Sequence, residues 1–251
     1  MKVIFHDDFY QVYTSDPAAS AGRMEAVVEV IRSRTEFVEA KPATEAQIAL
    51  AHVSSQIESV RKMGVYNIAA LAAGGAIQAA TIGLTEPCFG LIRPPGHHAS
   101  SGSCWGFCYF NNMAIALEVL KHAGAIETGY VLDIDLHYGD GTVNILDRRD
   151  YITVHNVEAV DRIGFLDEIS EEMSVCRADI IGISAGFDNH QDDWGGLLRT
   201  EDYFEIGRMV RESAKRSAGG YFAILEGGYN HQVLGANVMA LISGMSGGEF
   251  C

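Results

Sequence analysis

The sequence is poor in basic residues. It contains 18 Lys and Arg residues against 33 Asp and Glu residues, which gives a formal net charge of −15. Such a surface repels nucleic-acid phosphates and anionic membranes, so neither is a predicted partner. The same charge either keeps the protein dissolved or raises the local concentration of cationic ligands. Acidity alone does not choose between these two roles.

The sequence also lacks a disulfide pattern. Its five cysteines are odd in number and form no CxxC pair. A chain of 251 residues with 48% hydrophobic residues can build a core without disulfides, so we expect reduced thiols. The first residues, MKVIFHDDF, meet acidic side chains too early for a signal peptide. These features predict a cytoplasmic protein.

No apolar run is typical of a membrane span. Residues 65–84 come closest, but they include Asn67, Gln78 and several glycines, and Ala dominates over Leu and Ile. This composition predicts a buried helix in a tightly packed layer.

Short apolar runs alternate with longer helical patterns along the chain. The runs predict strands at 3–5, 35–39, 89–92, 130–136, 151–154, 179–184 and 221–225. The periodic segments predict helices at 18–33, 44–62, 66–82, 110–122, 141–148, 165–176, 200–217 and 231–244. Strands without polar alternation must be covered on both faces. The sequence therefore predicts an α/β fold, a three-layer sandwich with a central, mostly parallel β-sheet flanked by helices, in a single domain over 1–251.

Polar side chains cluster where four of the predicted strands end. RPPGHHA follows strand 89–92, DLHYGDG closes strand 130–136, AGFDNHQDD follows strand 179–184, and EGGYN follows strand 221–225. Ligands of open parallel sheets bind outside the carboxyl ends of the strands. These segments therefore predict an active site at one edge of the sheet.

Asp133, Asp135 and His137 are predicted to share one face of a strand, since alternate strand residues point the same way. Two carboxylates and an imidazole on one interior face need a neutralising cation. Asp188 follows the next buried strand. Asp135, His137 and Asp188 would give a metal three N and O ligands and leave one open position, as a catalytic zinc site requires.

His97 and His98 are adjacent and lie after a Pro-Pro-Gly turn. A carboxylate that accepts from one imidazole nitrogen fixes the tautomer, which suits general acid–base chemistry. Asp133 and Asp140 are the candidate partners. Tyr229 follows two glycines and can donate its O–H to a developing oxyanion.

Five segments in this order resemble the signature motifs of the histone deacetylase and acetylpolyamine amidohydrolase superfamily. They are RPPGHHA (93–99), GFCYFNN (106–112), DIDLHYGDGT (133–142), SAGFD (184–188) and LEGGYN (225–230). The resemblance implies an arginase/deacetylase-like fold. It also implies a zinc-dependent deacetylase that hydrolyses the N-acyl amide of an amine and releases acetate, with a small molecule or a peptide as substrate.

The resemblance further implies a role for each matched position. The zinc ligands are Asp135, His137 and Asp188, and the proton-transfer and oxyanion residues are His97, His98, Asp133, Asp140 and Tyr229. Gly106 and Phe107 match the pocket wall around the substrate chain. A K⁺ or Na⁺ site is implied beside the zinc, with Asp133, Asp135, His137, Thr153 and Val154 as its ligands.

The sequence departs from the family at the edge of the expected pocket. Relatives carry a long loop with a second aromatic wall where only a short stretch joins Val154 to Phe165 here. Ile163 and Phe165 are the nearest replacements, and Trp194 stands where relatives often have proline. These departures predict a wider, shallower pocket that tolerates bulkier acyl groups.

Two other functions stay open on the sequence. A ureohydrolase of the arginase type would use two manganese ions, although the histidines and the tyrosine suit a one-metal amidase better. A non-catalytic binder of acetylated ligands would need no proton-transfer groups. The ligand set also accepts Fe²⁺, and a homo-oligomer is compatible with the sequence.

Overall fold

A computed structural model describes residues 1–248, in which seven parallel strands form one sheet with the order β2-β1-β3-β7-β6-β4-β5. The strands are β1 (Lys2–Phe5), β2 (Glu36–Glu39), β3 (Cys88–Gly90), β4 (Gly129–Asp133), β5 (Ile152–Asn156), β6 (Ile180–Ala185) and β7 (Gly220–Leu225). The sheet is wholly parallel, and the predicted three-layer α/β architecture is confirmed.

Nine α-helices cover the sheet in residues 1–248. They are α1 (Arg23–Ile31), α2 (Glu45–Ile48), α3 (Ser54–Lys62), α4 (Tyr66–Gly83), α5 (Asn112–His122), α6 (Asp140–Leu146), α7 (Arg162–Val175), α8 (Thr200–Ser217) and α9 (His231–Ser246). The helix predicted over 44–62 is two helices. The side chain of Thr44 and that of Gln47 form a capping box at the start of α2, and the chain turns at 49–53 before α3.

Two layers of helices sandwich the sheet. Helix α4 packs on β1, β3 and β7 and lies beside α5, whereas α8 packs on β6 and β7 and lies beside α7 and α9. The small residues of α4 allow its close approach, since a Cβ at Gly75 would lie 2.7 Å from Ile92 Cγ2. Across residues 1–248, every helix is too short or too polar to cross a lipid bilayer.

The four strands that precede the polar segments are neighbours in the sheet, in the order β3-β7-β6-β4. Because they are parallel, their carboxyl ends meet at one edge, where ligands of such sheets bind. Strand β4 ends at Asp133, earlier than predicted, so Asp135 and His137 lie in the bend after it. Strand alternation therefore does not orient these two side chains.

Cys88, Cys104, Cys108 and Cys176 are free cysteines, in agreement with the absence of a disulfide pattern. Cys251 lies outside the described residues.

Candidate metal centre and active site

The three predicted metal ligands converge at this edge of the sheet. One ligand atom from each of Asp135, His137 and Asp188 lies within 4.8 Å of the others. His137 Nδ1 is 3.2 Å from Asp135 Oδ1 and 3.2 Å from Asp188 Oδ2. Both carboxylates are buried, whereas His137 is half-exposed. Asp188 reaches the other two from the loop after β6, which is the strand next to β4.

Main-chain amides donate hydrogen bonds to both carboxylates but leave one carboxylate oxygen of Asp188 without a main-chain donor. Asp135 accepts from the amides of His137 and Gly227 at 3.0 and 2.8 Å, and Asp188 Oδ1 accepts from Leu136 at 3.1 Å. Asp188 Oδ2 is buried and receives no main-chain hydrogen bond, and its polar contact in the described part of the chain is His137 Nδ1 at 3.2 Å. Two buried carboxylates side by side are costly to ionise, and a divalent cation would remove that cost. The donor set of two carboxylates and an imidazole fits an open zinc site.

The pKa values of the group fit the same reading. Hydrogen bonds to Asp135 and Asp188 raise the pKa of His137 to about 10. Burial and then the charge of Asp135 raise the pKa of Asp188 to about 6. Without a metal, the pocket therefore gathers protons to offset its negative charge. A bound cation would displace them, since metal binding competes with protonation of its ligands.

Two histidine–aspartate pairs lie beside this group. His97 Nδ1 is 3.1 Å from Asp133 Oδ2, and His98 Nδ1 is 2.7 Å from Asp140 Oδ1. The two imidazole rings are 4.0 Å apart between centroids. In each pair the carboxylate accepts a hydrogen bond from Nδ1–H, so a neutral imidazole of the pair keeps Nε2 as an acceptor.

The two histidines differ in protonation. Burial lowers the pKa of His97, but the carboxylates of Asp135 and Asp133 outweigh burial and raise that pKa well above its ordinary value. For His98, burial and the neighbouring charge of His97 lower the pKa to about 4, although Asp140 opposes them. In the metal-free protein these shifts favour a protonated His97 and a neutral His98 that can accept a proton.

Tyr229 lies on the other side of the cavity. Its main-chain amide donates to Asp193 Oδ2 at 2.7 Å, and its ring stacks on Trp194 with centroids 4.0 Å apart. Burial raises the pKa of Tyr229, so the side chain keeps its O–H and can donate a hydrogen bond. Phe107 contacts the same ring edge to face, at 6.1 Å.

A cavity of about 130 Å³ opens between these groups. Its lining consists of Pro95, His97, His98, Trp105, Gly106, Phe107, His137, Trp194, Gly227 and Tyr229. Gly106 and Phe107 both have left-handed backbone, with φ of 59° and 68°. A non-glycine residue in that region is uncommon and marks functional sites more often than average backbone. The prediction of a wide pocket is wrong, because ligand pockets of ordinary size measure about 300 Å³ or more.

The pocket is narrow because tryptophans replace the missing wall. Trp105 and Trp194 line the cavity, and each is about half exposed. The predicted replacements do not contribute: Phe165 is buried in the hydrophobic core and Ile163 is 69% exposed outside the cavity. Phe165 follows the buried face of α7, so its helix position directs it away from the site.

The predicted monovalent-cation ligands Thr153 and Val154 lie opposite Tyr130 and Val131, and neither lies opposite Asp133. Thr153 is exposed and pairs with Tyr130, three residues before Asp133 along β4. Three residues of strand span about 10 Å, which is too far for a shared ion. Asn156 is the residue opposite Asp133 in the register, and the amide of Val157 donates to the Asp133 carbonyl.

Sequence reasoning missed two buried charged residues beneath the site. Glu226 Oε2 accepts from the amides of Gly96 and His97 at 2.6 and 3.2 Å, and burial raises its pKa to about 7. Arg23 is fully buried and donates to the carbonyls of Glu226 and Gly228 at 2.6 and 2.8 Å. A charged residue directly after the apolar strand β7 was the available signal for Glu226. Nothing in the helical pattern of α1 distinguished Arg23.

Comparisons with known proteins place the chain among deacetylase relatives. A profile of the histone deacetylase domain matches residues 62–165 and 163–245. A probable deacetylase of Methanothermobacter thermautotrophicus is 29% identical over 99% of this chain and 92% of the relative. A probable deacetylase of Archaeoglobus fulgidus is 35% identical over 74% of this chain and 63% of the relative. Acetylpolyamine amidohydrolase 1 of Pseudomonas aeruginosa is 28% identical over 63% of this chain and 56% of the relative.

A solved structure shares the fold. The crystal structure of the HDA15 HD domain superposes with a TM-score of 0.85, covering 98% of this chain and 89% of that chain at 22% sequence identity. The alignment with the Methanothermobacter relative runs over 307 positions, more than the 251 residues of this chain, because the relative carries insertions. That excess agrees with short loops here.

Proposed function

Because the chain belongs to the histone deacetylase family, we propose that it is a zinc-dependent deacetylase that hydrolyses N-acyl amides of amines such as acetyl-lysine or acetylpolyamine. One observation carries the proposal: Asp135, His137 and Asp188 bring two buried carboxylates and an imidazole together beside the two histidine–aspartate pairs. A metal site alone would suit many reactions. The metal site together with a neutral and a cationic histidine suits amide hydrolysis.

Zinc, held by Asp135, His137 and Asp188, would polarise the amide carbonyl and acidify water. The chain supplies proton transfer. His98 is neutral and its Nδ1–H is held by Asp140, so its Nε2 takes the proton from the attacking water. The same atom then delivers a proton to the leaving amine.

Charge that develops on the carbonyl oxygen is stabilised by Tyr229. Its O–H stays protonated because burial raises its pKa, and the stack on Trp194 fixes its ring. Donors fixed before the reaction contribute most to oxyanion stabilisation. His97, held by Asp133, lies against His98 and would add a positive charge near the reacting group when it is protonated. The products are acetate, or another carboxylate, and a free amine.

A kinetic screen of metal-defined protein tests the proposal. Metal-free protein is loaded with one equivalent of Zn²⁺, Fe²⁺ or Mn²⁺ and assayed on an acetyl-lysine peptide, an acetylpolyamine and an arginine-type guanidinium substrate. We expect acetate release that saturates at one metal per chain. Urea release that needs two manganese ions would instead indicate a ureohydrolase, and tight binding without turnover would indicate an acetyl-ligand binder.

The role of His98 has a matched control. Removal of a general base costs about 10² to 10⁴ in rate, so His98→Ala should lose that much kcat. His122→Ala removes an exposed histidine in the last turn of α5, at the opposite end of the helix from Asn112 and the site segment before it, and should keep full activity. Full hydrolysis by His98→Ala would remove the proton-transfer role from this residue.

The narrow cavity favours a small acyl group on a slim chain. Its volume of about 130 Å³ is below the range of about 300 to 1,000 Å³ that is typical of ligand pockets. On a series of acetyl, butyryl and octanoyl amides of one amine, kcat/KM should fall with acyl length. Equal activity on all three would show that the cavity does not limit the acyl group.

A further inference from the structure

We propose that Trp105 is a positioning residue of the proposed deacetylase, and that its indole N–H holds Asp140 in the orientation in which that carboxylate binds His98. Trp105 Nε1 donates to Asp140 Oδ2 at 2.9 Å, while His98 Nδ1 binds Asp140 Oδ1 at 2.7 Å. One carboxylate therefore joins the indole to the imidazole. This inference rests on the proposed function, since the bond matters only if His98 transfers protons.

The two histidine–aspartate pairs differ in how their carboxylates are held. Asp133 is 1% exposed, and the Asp135 amide fixes its second oxygen at 3.1 Å. Asp140 is 44% exposed, and within residues 1–248 its Oδ2 has the indole of Trp105 as its hydrogen-bond partner. A carboxylate open to water can rotate unless a second bond holds it. The indole gives Asp140 the restraint that the main chain gives Asp133.

Stacking strengthens this arrangement. The Trp105 ring lies on the His98 ring with centroids 3.9 Å apart and planes 30° apart, and His97 lies 4.0 Å from His98. The three rings therefore stack in sequence. Trp105 is followed by a left-handed turn at Gly106 and Phe107. This turn lies directly against His98, since a Cβ at Gly106 would collide with the His98 ring. Trp105 thus contacts Asp140 through its indole N–H and His98 through the face of its ring.

Trp105→Phe is the direct test. The substitution keeps an aromatic wall and the stack but removes the N–H, so kcat should fall about tenfold with KM unchanged, the loss typical of a hydrogen bond to a charged group. In an Asp140→Ala background the same substitution should have almost no further effect on kcat, because the N–H acts only through Asp140. Equal kcat losses in both backgrounds would overturn the proposal, and so would a change in KM alone.

Trp194→Phe is the matched control. Trp194 is the other tryptophan of the chain, lines the same cavity and is similarly exposed, but in residues 1–248 its ring contacts Tyr229 and His137, whereas the indole N–H that binds Asp140 is that of Trp105. Its effect on kcat should therefore be the same with and without Asp140→Ala. If Trp194→Phe were coupled to Asp140→Ala as strongly as Trp105→Phe, the comparison of single and double variants would report a general disturbance of the pocket.

A spectroscopic arm does not depend on activity. In Trp194→Phe protein, Trp105 is the only tryptophan, so its emission reports this contact alone. Adding Asp140→Ala should shift that emission, because the indole loses its charged partner. An unchanged spectrum would refute the contact. A shifted spectrum in a protein without amide hydrolysis would refute the proposed function and leave the contact intact.

Discussion

The metal ligands should make the metal-free protein less stable than a variant that cannot bind metal. Asp188 is fully buried beside the carboxylate of Asp135, and its Oδ2 atom receives no main-chain hydrogen bond in the described chain. Asp188→Asn removes the charge, keeps the shape, and keeps an oxygen to accept from Leu136. We expect the metal-free variant to have the larger free energy of unfolding at pH 8.

The magnitude follows from the pKa of Asp188, which burial and the charge of Asp135 raise from 3.8 to about 6. At about 1.4 kcal/mol per pH unit, ionising this group in the folded protein costs about 3 kcal/mol. The folded state holds the proton more tightly than the unfolded chain does. The cost is therefore absent below pH 4, grows between pH 4 and pH 6, and is complete above that range. The variant should gain about 1 to 3 kcal/mol at pH 8 and almost nothing at pH 4.

Urea unfolding of metal-free protein at pH 4 and pH 8 measures this difference. Asp179→Asn is the control with the opposite sign, because the amides of Thr128 and Glu127 lower the pKa of Asp179 and its charge stabilises the fold. Added Zn²⁺ should reverse the order of wild type and Asp188→Asn, since a ligand at about 1,000 times its Kd contributes about 4 kcal/mol. A metal-free Asp188→Asn protein that is less stable at pH 8 would refute the reasoning.

Three further predictions follow from contacts around the site. Phe165→Ala should lower the free energy of unfolding by about 3 to 5 kcal/mol in urea titrations and leave KM unchanged, because Phe165 belongs to the core; a KM change that depends on acyl length would place it in the channel. Gly227→Ala should weaken zinc binding at least about tenfold in a chelator competition, since its Cβ would lie 2.6 Å from Asp135 Oδ2 and 2.7 Å from Asp188 Oδ2; wild-type affinity would contradict this. Arg23→Leu should cost about 2 to 4 kcal/mol by thermal unfolding, because it leaves the carbonyls of Glu226 and Gly228 unpaired; a neutral effect would mean that these carbonyls find other partners.

The sequence by itself determined the fold class and the convergence of the polar segments. Apolar runs of strand length, alternating with helical patterns, leave few arrangements except a parallel sheet between helices. The order of the strands follows from no local signal. The convergence of the polar segments requires of that order only that the four strands lie side by side. Any sheet that places these four strands side by side brings Asp135, His137 and Asp188 to one edge.

Only the tertiary structure decided the details that depend on register and on distant contacts. The register of β5 puts Asn156 opposite Asp133. A shift of three residues along so short an apolar strand leaves no trace in the hydrophobic pattern of the sequence. Trp105 and Asp140 meet across 35 residues. Phe165 points into the core instead of the channel because α7 begins at Arg162 and fixes its rotation. Side chains far apart in the chain meet through packing, and packing is a property of the whole sheet and its helices.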